Sequence, residues 1–286
     1  MPRLAVLGHP VGHSRSPAMQ NAALAALGLG EEWSYEAIDV GPEHFEERVR
    51  GMAGEGFAGA NVTVPHKHAA LALADELSEV AREIGAANTL VFAEGRADAG
   101  TGEGAGNEGG VGKTGVGKRI HAHNTDADGF LAALPESPQG RRALVLGAGG
   151  AARAVVWALE REGAETDVWN RTATRAEEIC AELGGKPVAD PDQGSYELIV
   201  NTSAAGLGGE DPFEHLPLAA AQFSPDQTVV DMVYGDVPSP LLTAAAAAGA
   251  TVVDGIEILV QQGALSLRIW TGREAPIEAM RAAART

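Results

Sequence analysis

Short aliphatic and β-branched runs alternate along the chain with stretches whose apolar residues recur at helical spacing. Leu4 to Leu7 reads as a strand, followed by a Gly/Pro/Ser loop and a helix from about Pro17 to Leu27 that Gly28 ends. A second strand is expected near Trp33 to Ile38, then a helix around Glu43 to Met52. Gly59 to Val64 is a short strand closed by Pro65, since proline cannot donate to a ladder. Lys67 to Leu77 keeps helical spacing. In the second half the pattern predicts a helix at Asp126 to Leu134, a buried strand at Arg142 to Leu146, a helix at Arg153 to Glu162 and a strand at Thr166 to Trp169. Further strands fall at Leu198 to Asn201, Thr228 to Met232 and Thr251 to Asp254, with helices between them. The chain closes with an apolar helix, Ile256 to Thr271, and a short one near Pro276 to Arg285. Such alternation is the mark of parallel sheets covered by crossover helices, so the fold class is α/β.

One segment breaks the pattern. From Gly95 to Lys118 the chain is Gly-rich and polar, and it reads as an exposed, mobile insertion that adds nothing to a core. Gly112-Lys113-Thr114 imitates the end of a phosphate-binding P-loop, but Asn107 stands where the first glycine belongs and no strong strand precedes it.

Composition narrows the function classes. The 286 residues suffice for one or two globular domains, and the apolar runs fall far short of the roughly 20 residues of a membrane span, so no membrane partner is expected. The single cysteine, Cys180, asks for no oxidising compartment, which makes the cytoplasm the expected location. A net charge of −18 opposes the basic surface that nucleic-acid binding needs. With only 4 lysines, the acidic surface also reads as suited to high salt. The histidines His9, His13, His66, His121 and His123 share no recognised ligand spacing with a carboxylate or cysteine, so no metal is assigned.

Chemistry enters after the strand Arg142 to Leu146. Gly147-Ala148-Gly149-Gly150-Ala151-Ala152 follows it directly and an Ala-rich amphipathic helix leaves it, the setting a dinucleotide-binding turn requires. Gly147 permits the tight turn, Gly149 lets backbone amides approach a pyrophosphate, and Ala152 is small enough for close helix-to-strand packing. The positive end of the helix dipole then faces the phosphates. The next strand ends in Asn170-Arg171-Thr172, with Arg175 a turn later, where an NAD site would place an acidic residue. Arg171 and Arg175 suit a 2′-phosphate, so the cofactor expected is NADP. Asp167, three residues before the strand end, reads as structural.

Four motifs in the first half and at its end narrow the class. Gly8-His9-Pro10-Val11-Gly12-His13-Ser14-Arg15-Ser16-Pro17 follows the first strand, and Asn61-Val62-Thr63-Val64-Pro65-His66-Lys67 a later one. Gly85-Ala86-Ala87-Asn88-Thr89 and Asn124-Thr125-Asp126-Ala127-Asp128-Gly129 complete the set. In order and spacing, apart from the Gly-rich segment, these resemble the signature motifs of the shikimate dehydrogenase family, and the resemblance runs from Leu4 to the last helix. It implies a substrate domain with a mainly parallel sheet over 1–122 and 257–286, and a Rossmann-type NADP-binding domain over 123–256. It also implies a cleft that closes on its ligands. The partner expected is a small molecule, shikimate or 3-dehydroshikimate. The oligomeric state stays open, a homodimer among the options.

Physically, Ser14 and Ser16 can project hydroxyls to one side of an extended segment and bind a carboxylate, or cap the helix at Pro17, or both. Asn61, Thr63 and Asn88 are short polar groups at strand ends, where ligands of α/β sheets bind. Lys67 stands out as a lysine in a chain that prefers arginine, and only lysine can exchange a proton near neutral pH. The resemblance pairs it with Asp126 as the dyad at the reacting hydroxyl, with Lys67 either the formal acid/base or a positioning charge. It further implies Tyr234 at the substrate carboxylate and Gln262 at its hydroxyls, with neighbouring Gln261 a competing register. Thr202, Ser203 and Gly206, with Met232, Gly255 and Ile258, would flank the nicotinamide end, Leu207 and Ile258 standing where methionine is usual. A quinate/shikimate enzyme using NAD is disfavoured by Asn170-Arg171-Thr172, and a non-catalytic NADP sensor by the intact Lys67 and Asp126.

Overall fold

The computed structural model describes residues 1–94 and 118–286. The Gly-rich segment, including the P-loop look-alike, lies outside the described residues except for Lys118.

Two six-stranded sheets organise the described chain. The first contains β1 (Arg3–Gly8), β2 (Ser34–Asp39), β3 (Phe57–Val62), β4 (Glu76–Leu77), β5 (Thr89–Glu94) and β6 (Lys118–His123) in the order β2-β1-β3-β5-β6-β4. β1 pairs in parallel with β2 and β3, and β4 with β6, while β5 enters antiparallel to both β3 and β6. Its helices are α1 (Ser16–Ala26), α2 (Phe45–Met52), α3 (Lys67–Leu73) and α4 (Glu79–Ile84). The periodicity expected to carry one helix from Lys67 to Leu77 therefore stops at Leu73. Ala74 turns extended, at ψ 141°, because Glu76 and Leu77 pair with His121 and Ala122 of β6. No glycine or proline marks that break; tertiary pairing overrides local helix propensity.

After α5 (Asp126–Ala133) the second sheet begins: β7 (Arg142–Leu146), β8 (Glu165–Trp169), β9 (Lys186–Pro187), β10 (Leu198–Asn201), β11 (Thr228–Asp231) and β12 (Thr251–Asp254). All its pairings are parallel, in the order β12-β11-β10-β7-β8-β9. The crossovers include α6 (Gly150–Arg161), α7 (Ala173–Leu183) and α8 (Pro240–Ala247). Strands buried on both faces read as continuous apolar runs, and Leu144, Val145, Leu198, Ile199, Val200, Val229 and Val230 are all fully buried. Strand order reverses between β7 and β10, opening a crevice beyond their carboxyl ends.

The last two helices, α9 (Gly255–Thr271) and α10 (Ile277–Ala284), leave the second sheet and join the core of the first. Val260, Leu267 and Met280 pack in one cluster with Leu4, Val6, Met19 and Leu24. Where α9 crosses α5, an added Cβ at Gly129 would lie 2.6 Å from the Gln262 Cβ, so the two helices meet at backbone distance and carry Asp126 and Gln262 into the same space.

Candidate active site

A cleft of about 280 Å³ lies between the carboxyl ends of the two sheets. From the first sheet, the loop after β1 contributes Ser14, the start of α1 Ser16, β3 and the residue just after it Asn61 and Thr63, and the start of α3 Lys67. Asn88 and Asp126 come from the segments before β5 and at the start of α5. Opposite stand Ala151 of α6, Thr202 and Ser203 after β10, Met232 and Tyr234 after β11, and Gly255, Ile258 and Gln262 of α9. Every side chain expected to touch substrate thus lines one cleft.

At its floor, Lys67 Nζ donates to Asp126 Oδ2 at 2.7 Å. Their side chains are 13% and 11% exposed, so the pair is largely stripped of water and its attraction is little screened. Asp126 is aimed from behind: Asn88 Nδ2 donates to its Oδ1 at 2.9 Å, and the same amide reaches Thr125 Oγ1 (2.9 Å) and Gln262 Oε1 (3.2 Å). Asn88 therefore fastens the site as well as lining it. Gln262, not Gln261, faces the cleft; Gln261 Nε2 donates to Glu257 Oε1.

At the other end, the helix start resolves the two serines differently. Arg15 occupies the N-cap of α1 without a side-chain cap, and the Ser16 amide donates weakly to Ser14 Oγ at 3.3 Å. Neither serine therefore caps α1 in the way the sequence suggested: Ser16 is the first residue of the helix itself. Burial pushes the Tyr234 phenol above its ordinary range, so Tyr234 stands as a neutral hydroxyl beside the serines. Arg15 in turn pairs with Asp236, joining the loop after β1 to the loop after β11. His9 and His13 line this end too; His9 is held by Asp39 at 2.7 Å. Sequence motifs contained both histidines but gave them no part in the wall.

The glycine turn sits at the sheet's switch point. Gly147 has φ +120°, and a Cβ there would lie 2.6 Å from Thr202 Oγ1, so only glycine fits. A Cβ on Gly149 would meet nothing within 4 Å: its open face is backbone that a ligand can approach, directly before the first turn of α6. Gly150 faces inward instead, its added Cβ 3.0 Å from the Lys67 Cβ, so the turn and the lysine stem pack on one another. Beyond the cleft wall, past the end of β8, Asn170 Nδ2 donates to the Thr172 carbonyl, and Arg171, Thr172 and Arg175 are exposed. Among the described residues, neither arginine is paired with a carboxylate. By contrast Asp167 accepts from Tyr196 at 2.8 Å, a structural tie.

Behind the cleft wall that Thr202 and Met232 line, Asn201 Nδ2 donates to Asp231 Oδ1 at 2.9 Å, and Ser203 Oγ and Ser239 Oγ complete a polar knot that ties the loop after β10 to the loop after β11. Gly255 needs to be glycine because a Cβ would strike the Met232 carbonyl at 2.6 Å. Gly206 lies outside the cleft wall, its amide bonded to Glu210. An anion-ready glycine turn with unpaired arginines, facing a dehydrated Lys/Asp pair, fits a nicotinamide dinucleotide and defines the class: a two-sheet dehydrogenase acting on a small polar substrate. Family models agree: the shikimate dehydrogenase substrate binding domain matches residues 6–90, shikimate/quinate 5-dehydrogenase residues 132–197, and the shikimate 5′-dehydrogenase C-terminal domain residues 255–285. The chain belongs to the shikimate dehydrogenase family. Shikimate dehydrogenase (NADP(+)) of Methanopyrus kandleri is 43% identical, over 97% of this chain and 93% of its own. That of Anaeromyxobacter sp. strain Fw109-5 is 44% identical, over 98% and 94%. A crystal structure of shikimate 5-dehydrogenase from Thermus thermophilus, in complex with NADP(H) and shikimate, is 40% identical and superposes with a TM-score of 0.83, covering 100% and 99% of the two chains.

Proposed function

We propose that this chain interconverts shikimate and 3-dehydroshikimate with NADP(H), a step of aromatic amino acid biosynthesis. It is an oxidoreductase acting on a CH–OH group. The observation that carries the reading is the Lys67–Asp126 pair at 2.7 Å, set on the cleft floor against the glycine turn of the second sheet.

Gly147, Gly149, Gly150 and Ala151 would hold the pyrophosphate of NADP, Asn170, Arg171, Thr172 and Arg175 its 2′-phosphate, and Thr202, Ser203, Met232, Gly255 and Ile258 its nicotinamide end. When bound, the cofactor takes or returns the hydride. Ser14, Ser16 and Tyr234 bind the substrate carboxylate through neutral hydroxyls. Asn61, Thr63, Asn88 and Gln262 meet the ring hydroxyls, and Asn88 also aims Asp126. Lys67 and Asp126 hydrogen-bond the reacting hydroxyl and move its proton. Fixed by Asn88 on one side and by Gly150 on the other, the dyad reaches the substrate already oriented.

The substrate domain is assigned to 1–122 and 257–286 and the NADP domain to 123–256, supported by the shared core of α9, α10 and α1. No helix among the described residues is long and apolar enough to cross a membrane. We assign the enzyme to the cytoplasm, where a lone thiol and soluble substrates are at home. Steady-state assays with shikimate or quinate and NADP or NAD test the reading: turnover best with shikimate and NADP supports it, and best turnover with any other pair overturns it.

A further inference from the structure

Beneath the cleft lies a buried polar layer that includes two residues outside its wall. Tyr35 of β2 is 3% exposed and donates from its phenol to Asn61 Oδ1 at 2.8 Å. Ser266 of α9 is fully buried and accepts from Asn61 Nδ2 at 2.9 Å. Its oxygen also meets Thr89 Oγ1 (2.9 Å) and Thr125 Oγ1 (3.1 Å), and it donates to the Gln262 carbonyl one turn earlier at 3.0 Å. The Asn61 amide is thereby spent almost completely. Its two N–H groups are shared among Ser266, Thr89 Oγ1 (3.1 Å) and the Asn88 carbonyl (3.2 Å); that carbonyl can only accept and so fixes which end is nitrogen, leaving Oδ1 to accept from the Tyr35 phenol. Toward the cleft, Asn61 retains only a lone pair on Oδ1, so it meets a ligand as an acceptor.

We infer that Tyr35 and Ser266 are positioning residues of the substrate site: Tyr35 orients the Asn61 amide to accept from a ring hydroxyl, and Ser266 locks Asn61, Thr125 and the Gln262 turn of α9 into one register. The inference rests on the shikimate reading above. Its physical basis is satisfaction. In this buried layer each of these groups has its partner in one arrangement, and losing either oxygen leaves a buried partner one hydrogen bond short and the Asn61 amide less firmly held. The layer ties β2, β3, the start of β5, the α4–β5 and β6–α5 connections and α9 together behind the substrate-facing side chains.

The test is steady-state kinetics on Tyr35→Phe, which keeps the ring and hence the packing, and on Ser266→Ala, with melting temperature and NADP titration in parallel. Tyr35→Phe should raise KM for shikimate about 10-fold with kcat within about twofold and NADP affinity unchanged. Ser266→Ala should lower kcat/KM for shikimate by a similar factor. In an Asn61→Ala background Tyr35→Phe should add almost nothing, because its effect passes through that amide. Lower melting temperatures with unchanged shikimate KM in Tyr35→Phe, or full additivity with Asn61→Ala, overturn the inference while leaving the shikimate reading intact. A wild-type enzyme inactive on shikimate with NADP overturns both.

Discussion

Lys67 and Asp126 stand 59 residues apart in sequence, yet their charged atoms lie 2.7 Å apart at the start of two different helices. Because both are nearly dehydrated, neither acts alone: each holds the other in place, and removing one leaves its partner buried without a counter-charge. Lys67→Ala and Asp126→Asn should each lower kcat by about 100-fold or more while NADPH binding survives. Stopped turnover with normal cofactor titration checks this; near-normal kcat in both variants would remove the dyad from the mechanism.

Two glycines of one turn should behave in opposite ways. Gly147→Ala must force a side chain into a φ of +120° and onto Thr202, so its melting temperature should drop, by about 1–3 kcal/mol of stability. Gly149→Ala puts its methyl into open space and should leave folding within about 0.5 kcal/mol while weakening NADP(H) about 10-fold or more. Calorimetric melting set beside cofactor titration separates the two, and equal NADP affinity in Gly149→Ala would contradict the pyrophosphate assignment.

Arg171 is exposed and has no carboxylate partner among the described residues, which leaves its guanidinium available for the proposed 2′-phosphate contact. Arg171→Ala should raise KM for NADP by about 10- to 100-fold and leave the weak use of NAD unchanged. Equal losses with both cofactors would place Arg171 elsewhere than at the 2′-phosphate.

Acid should destabilise the fold before carboxylates titrate. His66, which stacks on Phe45 and donates to the Val40 carbonyl at 2.7 Å, and His123 both have pKa values lowered by burial. Their folded pKa values lie below the unfolded value near ~6.5. Between the two the unfolded chain binds more protons, so stability is lost as pH falls from about 6.5 through the folded values. Melting temperatures should be flat just above neutrality and decline below it, with a shallower decline in His66→Gln. A melting temperature rising on acidification through that window would refute the assignment.

The second sheet was far more legible in sequence than the first, for a physical reason. β7, β10 and β12 are parallel strands whose apolar runs end at glycine, asparagine or aspartate, and their expected bounds match the structure residue for residue. In the first sheet, Lys67 to Leu77 keeps helical periodicity across a break that only the pairing of Glu76 and Leu77 with β6 imposes. The site's lining was readable because Ser14, Ser16, Lys67, Asn88 and Asp126 sit in motifs. The layer behind it was not. Ser266 lies between Leu265 and Leu267 in an apolar helix and Tyr35 in a strand, where nothing local distinguishes a buried hydroxyl hub from ordinary packing.

The most direct measurement is the change in nicotinamide absorbance when purified enzyme receives shikimate with NADP, alongside quinate and NAD controls. The structure predicts NADP reduction dependent on shikimate, with kcat/KM for NADP about 10-fold or more above that for NAD. No shikimate-dependent absorbance change, or a preference for quinate with NAD, would contradict it.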